Sequence, residues 1–147
     1  MYKRQELKNL AQKYRVAEDI DFVSGISDEE LRNLYRKAKV FILTPINYQH
    51  YFEGFGLVFL EAAAFGLPIV GTLNNGTEDA VRNGYNGILV PQNNIMRTAR
   101  AMSQLLQDVA RWEVMSKGSL AWASEHDYNK MIAQYIDLYK KNFSTKP

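Results

Sequence analysis

A chain of 147 residues that is 46% hydrophobic fits a globular protein with a substantial core, and one domain over 1–147 is the expectation. Its 18 basic and 16 acidic residues leave a formal net charge of +2, too balanced for nucleic acid to be the main partner, while the mildly basic pI admits an acidic substrate or a peripheral membrane contact. Cysteine is absent, which excludes disulfides and thiolate metal sites; no apolar run approaches the roughly 18 residues that span a bilayer and no signal-peptide core follows the first residues, so the expected location is the cytoplasm.

At the N-terminus Leu7, Leu10, Ala11 and Tyr14 mark one face of an amphipathic helix over about 6–14, with no strand before it to pack on. M-Y-K-R-Q is also what a sequencing-library transposon end (GTGTATAAGAGACAG) encodes from a GTG start, so residues 1–5 read either as foreign sequence joined to a truncated gene or as an ordinary helix start. Ile20-Asp21-Phe22-Val23 predicts a short strand ended by Gly25. Ser27-Asp28-Glu29-Glu30 is a capping box that opens a second helix, to about Lys39, with Leu31, Leu34, Tyr35 and Ala38 on its apolar face. Val40-Phe41-Ile42-Leu43 is a continuous apolar run closed by Thr44-Pro45, as in a central parallel strand covered on both faces.

An aromatic-rich loop over 46–52 leads into F-E-G-F-G-L-V-F-L-E-A-A-A-F-G-L-P, a glycine turn followed by an apolar helix that ends at Gly66 as C-cap with Pro68 beyond. A buried strand over 68–72, the loop Leu73-Asn74-Asn75-Gly76, a short helix over 77–82 and a strand over 88–90 follow. This alternation predicts parallel β-α-β units and an α/β fold, a Rossmann-like parallel sheet flanked by helices. Extra C-terminal helices carry Ile95, Ala99, Met102, Leu106 and Val109, then Trp112, Met115 and Trp122, then Met131, Tyr135, Leu138 and Tyr139, before a polar tail at 144–147.

In an open parallel sheet, ligands bind at the strand C-terminal ends, where loops lead into helix N-termini. Gly54 and Gly56 bracket Phe55, so the backbone can approach a ligand closely, and the N–H groups of Gly56, Leu57 and Val58 begin a helix, unpaired and at its positive end. A diphosphate suits that position. Glu53 and Glu61, eight positions apart, would span about 12 Å if every step were helical, at about 1.5 Å per residue. Carboxylates repel phosphate and accept hydrogen bonds from hydroxyls, so the pair suits the two ends of an extended ligand. His50 and His126 are too far apart in sequence for a local metal motif.

These residues resemble the E-x7-E motif of retaining nucleotide-sugar glycosyltransferases of the GT-B fold, the large family 4 in particular. The context agrees: V-F-I-L-T-P before the motif, E-A-A-A-F-G-L-P-I-V-G-T through it, and N-G-T-E-D-A-V-R-N-G-Y-N-G-I-L-V-P beyond it, so that the resemblance runs over about 6–139. It implies the C-terminal, donor-binding half of an enzyme that moves a sugar from a UDP- or GDP-linked donor to an acceptor hydroxyl with retention, using neither metal nor cofactor. On that likeness Glu53 is the catalytic glutamate, contacting the donor sugar and stabilising charge at its anomeric carbon. Gly54, Phe55, Gly56, Leu57 and Val58 wrap the sugar and diphosphate, Glu61 holds the ribose, and Ile26 holds the base by main-chain contacts.

The chain departs from the family where Asn75-Gly76 stands for a common Gly-Gly. The family's diphosphate-binding Arg and Lys, and its N-terminal acceptor domain, lie before the point where this chain begins, so no transfer is expected from the chain alone. A GT-B nucleotide-sugar epimerase or a non-catalytic nucleotide-sugar-binding module would share the architecture. Tyr48, His50, Tyr51 and Phe52 suit a sugar face, but packing beneath a partner domain is the plainer reading. Trp112 and Trp122 read as core, and Arg97, Arg100 and Arg111 as a solvated face.

Overall fold

The computed structural model describes residues 2–143; Met1 and the polar tail over 144–147 lie outside the described residues. Two compact units are distinguished, Met1–Asn33 and Leu34–Pro147.

In the first unit, helix α1 (Tyr2–Lys13) ends at Arg15, whose φ of 57° is left-handed, and a 3-10 turn at Ala17–Asp19 follows. Residues 20–23 form no strand. Their β-branched and aromatic side chains favour extension, but within this unit there is no strand among the described residues to take up their N–H and C=O groups. The capping box forms as read: the Ser27 N–H and hydroxyl each donate to Glu30 Oε2 at 2.8 Å, and the Glu30 N–H donates to Ser27 Oγ at 3.3 Å. Helix α2 (Asp28–Lys37) starts there, with three acids in its first turn and two bases in its last, the order that the helix dipole favours.

Replacing Ser27 with alanine is expected to cost about 1 kcal/mol in a urea titration at neutral pH. The Ser27 backbone N–H, and then its hydroxyl, hold the Glu30 carboxyl below its usual range. A depressed carboxyl stabilises above its unfolded pKa and loses that effect as pH falls through the folded value. The difference between wild type and Ser27→Ala should therefore shrink in acid.

The second unit is built on three parallel strands in the order β1-β2-β3: Phe41–Ile42, Ile69–Thr72 and Gly87–Val90. Phe41 pairs with Ile69, which pairs with Gly87; Thr72 pairs with Val90. All four residues of β2 are buried. Successive side chains point to opposite faces, so Ile69 enters one cluster with Phe59, Ala63, Ala80, Val81 and Leu89, while Val70 enters a second with Val90, Ala101, Leu105 and Met115. Helices α3 (Leu57–Ala64) and α4 (Thr77–Ala80) serve the first cluster, α5 (Ile95–Gln107) the second. The central strand is thus β2. The run over 40–43 supplies β1, which has a strand on one side only among the described residues, and Ile42 is 38% exposed.

Helix α6 (Val109–Glu125) crosses close over the loop before β3: a Cβ on Gly118 would lie 2.3 Å from the Tyr85 carbonyl oxygen, and Ser119 Oγ donates to the Leu67 carbonyl at 2.8 Å. The two tryptophans are half-buried, each with its indole N–H on a backbone carbonyl, Trp112 on Lys39 at 2.6 Å and Trp122 on Ala80 at 2.9 Å. Helix α7 (Tyr128–Phe143) has no buried residue, and its apolar stripe of Met131, Tyr135, Leu138 and Tyr139 is exposed.

Candidate functional site

The strands end at Ile42, Thr72 and Val90, and just beyond them the Leu43 N–H donates to the Val70 carbonyl and the Leu73 N–H to that of Val90. Two loops leave this edge and open helices. The first carries Glu53 to Gly56 into α3; the second carries Asn74 to Gly76 into α4. They are locked together at the backbone. The Gly76 N–H donates to the Glu53 carbonyl at 2.8 Å, and a Cβ on Gly76 would fall 1.4 Å from the Gly54 carbonyl oxygen, so only glycine fits there. Gly56, the N-cap of α3, has φ +74°, and a Cβ on it would meet the Phe59 ring at 2.6 Å. A Cβ on Gly54, by contrast, would meet nothing within 4 Å.

Asn75, at the departure from Gly-Gly, is a structural tie. Its amide donates to Thr72 Oγ1 at 3.0 Å, and its Oδ1 accepts from the Thr77 N–H at 2.9 Å. Thr72 Oγ1 in turn donates to the Pro45 carbonyl at 2.7 Å. The substitution therefore fastens the second loop to the ends of β1 and β2.

Among the described residues the N–H groups of Gly56, Leu57 and Val58 have no hydrogen-bond partner, as the start of a helix requires, and Leu57 and Val58 are exposed. Glu53 is half-buried. Only the steps from Leu57 to Glu61 are helical, so the spacing that assumes helix throughout applies to the second half of the motif alone. Glu61 is exposed on α3 and accepts from the Tyr35 hydroxyl at a long 3.4 Å. Burial, then the Glu61 carboxylate, raise the Tyr35 phenol above its usual pKa.

Beside Glu61 lies an apolar groove of about 680 Å³ lined by Phe55, Leu57, Leu60, Ala64, His126 and Met131 among others. The His126 Nδ1–H donates to the Trp122 carbonyl at 2.8 Å, and the imidazole ring lies 6.3 Å from that of Phe55. No sequence pattern marks the α6 and α7 residues as lining this groove, because they are brought there by packing across some 65 to 75 positions. Ile26 is half-buried and belongs to the first unit. His50 is exposed, as are Arg97, Arg100 and Arg111, and Arg111 pairs with Asp108 at 3.5 Å. Among the described residues no three His, Cys, Asp or Glu side chains form a group that could hold a metal ion, and no helix is long and apolar enough to cross a membrane.

Comparison with known proteins agrees with this arrangement. A D-inositol 3-phosphate glycosyltransferase of Streptomyces bingchenggensis is 33% identical over 137 residues, which are 93% of this chain and 29% of that enzyme. Sucrose-phosphate synthase of Thermosynechococcus elongatus superposes with a TM-score of 0.82 at 27% identity, covering 99% of this chain and 35% of that one. The C-terminal domain of a group 1 glycosyl transferase of Francisella tularensis shares the fold, with a TM-score of 0.70 at 21% identity over 84% of this chain and 62% of that one. The chain thus spans about a third of the length of the full-length relatives it matches. The model of the family Glycosyl transferases group 1 matches residues 2–120, and the chain belongs to that family.

Proposed function

We propose that this chain is the donor-binding half of a retaining GT-B glycosyltransferase. It holds a UDP- or GDP-linked sugar as substrate and, with an N-terminal acceptor domain, passes the sugar to an acceptor hydroxyl in the cytoplasm, without a metal or other cofactor. The observation that carries this reading is the backbone lock of Gly76 on Glu53 and Gly54 at the start of α3, where the Glu53 carboxyl carbon lies 3.5 Å from the position of a Cβ on Gly56.

The unpaired N–H groups of Gly56, Leu57 and Val58 and the positive end of α3 receive the diphosphate. Gly54 and Phe55 border it with backbone, and open space at Gly54 lets the donor sugar come close. Glu53 accepts hydroxyls of that sugar and stabilises positive charge as it develops at the anomeric carbon. Glu61, free to leave its long bond with Tyr35, accepts the ribose hydroxyls.

Calorimetric titration of the chain with UDP, GDP and UMP tests this. UDP or GDP should bind more tightly than UMP, because the second phosphate meets the α3 N-terminus. Equal or absent binding of all three overturns it.

A further inference from the structure

The segment between β1 and Glu53 is not a slack loop. Tyr48 and Tyr51 exchange two backbone hydrogen bonds, each 2.9 Å, which closes a hairpin whose tip carries Gln49 at φ 53° and His50. Its base is anchored: the Asn47 N–H donates to Gln92 Oε1 at 2.8 Å, the Asn47 amide to the Asn74 carbonyl at 2.8 Å, and the Gln92 amide to the Leu73 carbonyl at 2.8 Å. The hairpin is therefore held by the loops that follow both β2 and β3.

Residues directly opposite in an antiparallel pair project to the same face. Tyr48 and Tyr51 share one, and Phe52 alternates to the other. Tyr48 is 67% exposed, Tyr51 75% and Phe52 69%, and among the described residues neither tyrosine has a partner for its ring or hydroxyl. Large aromatic surface is thus displayed on an ordered support instead of being spent on the core. Its chemistry selects the occupant. From Pro45 to Gly56 there is no lysine or arginine, and Glu53 adjoins, so phosphate and anionic lipid are disfavoured. Flat rings with hydroxyl and imidazole groups at their edges match a neutral polyhydroxyl ring, apolar on its C–H face and hydrogen-bonding at its rim.

We propose that Tyr48 and Tyr51 form a stacking platform for a sugar ring of the acceptor, next to Glu53. The proposal rests on the donor-site reading, since the diphosphate and donor sugar are there assigned to 53–58. The platform supplies an acceptor subsite from the donor-binding half, and its contact is a binding one with no covalent step.

The test is aromatic-detected NMR of the 147-residue chain, first with UDP alone, then with UDP at saturation and added methyl α-glucoside or methyl α-mannoside. At least one glycoside should shift the Tyr48 and Tyr51 ring signals. A Tyr48→Ala/Tyr51→Ala variant should bind it roughly tenfold more weakly, whereas Tyr48→Phe/Tyr51→Phe, which keeps the rings, should lose much less. The backbone signals of β2 report whether the variants fold. Failure of UDP to bind while a glycoside still shifts the rings overturns the donor reading and upholds the platform. UDP binding with no ring shift from either glycoside overturns the platform. Broadening of the ring signals with protein concentration, unaffected by sugar, assigns the face to a second copy and also overturns it.

Discussion

Gly76→Ala is expected to abolish UDP binding and to lower the urea midpoint of the chain. The added Cβ would lie 1.4 Å from the Gly54 carbonyl oxygen, 2.2 Å from its carbon and 2.8 Å from the Glu53 carbonyl oxygen. All three atoms are backbone, so no rotamer change relieves the overlap and the two loops must separate. Overpacking of this kind costs about 1–3 kcal/mol, and the lost Gly76 N–H to Glu53 bond at 2.8 Å adds about 0.5–1.5 kcal/mol. Gly54→Ala is the control, because its Cβ meets nothing within 4 Å and its φ is not left-handed. It should leave stability within about 0.5 kcal/mol of wild type while weakening UDP, since the methyl group occupies space left for the ligand. If both variants bind UDP normally, the loops do not form the site.

Glu61→Ala should weaken UDP by roughly 10- to 150-fold, the equivalent of about 1.5–3 kcal/mol for hydrogen bonds to a charged group. Competition binding with UDP and 2′,3′-dideoxy-UDP separates the ribose role from a general loss: the substitution should change UDP affinity and leave that of the dideoxy analogue nearly unaltered. A uniform loss on both nucleotides would remove Glu61 from the ribose and make it a positioning residue of α3. The fold should hardly respond, because Glu61 is exposed and its bond to Tyr35 is long at 3.4 Å. The Tyr35 phenol should titrate closer to its ordinary range in the variant while staying above it, since burial, the larger of its causes, remains.

Much of this site could be read from the residues because its signals are local. Gly66, expected as the C-cap, stands one residue beyond it: Phe65 is the C-cap, and Gly66 follows at φ +72°, with the Gly66 N–H on the Ala63 carbonyl and the Leu67 N–H on that of Ala62. Ser27 and Glu30 are three positions apart and close their capping box without help from elsewhere. What escaped depends on distant partners. Ile20 to Val23 has the composition of a strand, but a strand is a property of a pair, and the first unit provides none among the described residues. The apolar run over 40–43 reports that its side chains can be covered on both faces; it does not report which strands flank it, and among the described residues it pairs with β2 alone. The ties of Asn47 to Gln92 and Asn74, 45 and 27 positions away, leave no periodic trace, so an aromatic loop could not be told from an anchored hairpin.

A nucleoside diphosphate is expected to sit on the turn from Glu53 to the first turn of α3. Amide NMR of the chain titrated with UDP, and with GDP in parallel, tests it most directly. For at least one of them, the largest shifts should fall on Gly54, Gly56, Leu57, Val58 and Glu61 and extend to Gly76 through its bond with Glu53, while the signals of α7 beyond the groove stay in place. Specific binding with those amides unmoved and the shifts gathered elsewhere in the chain would contradict the account.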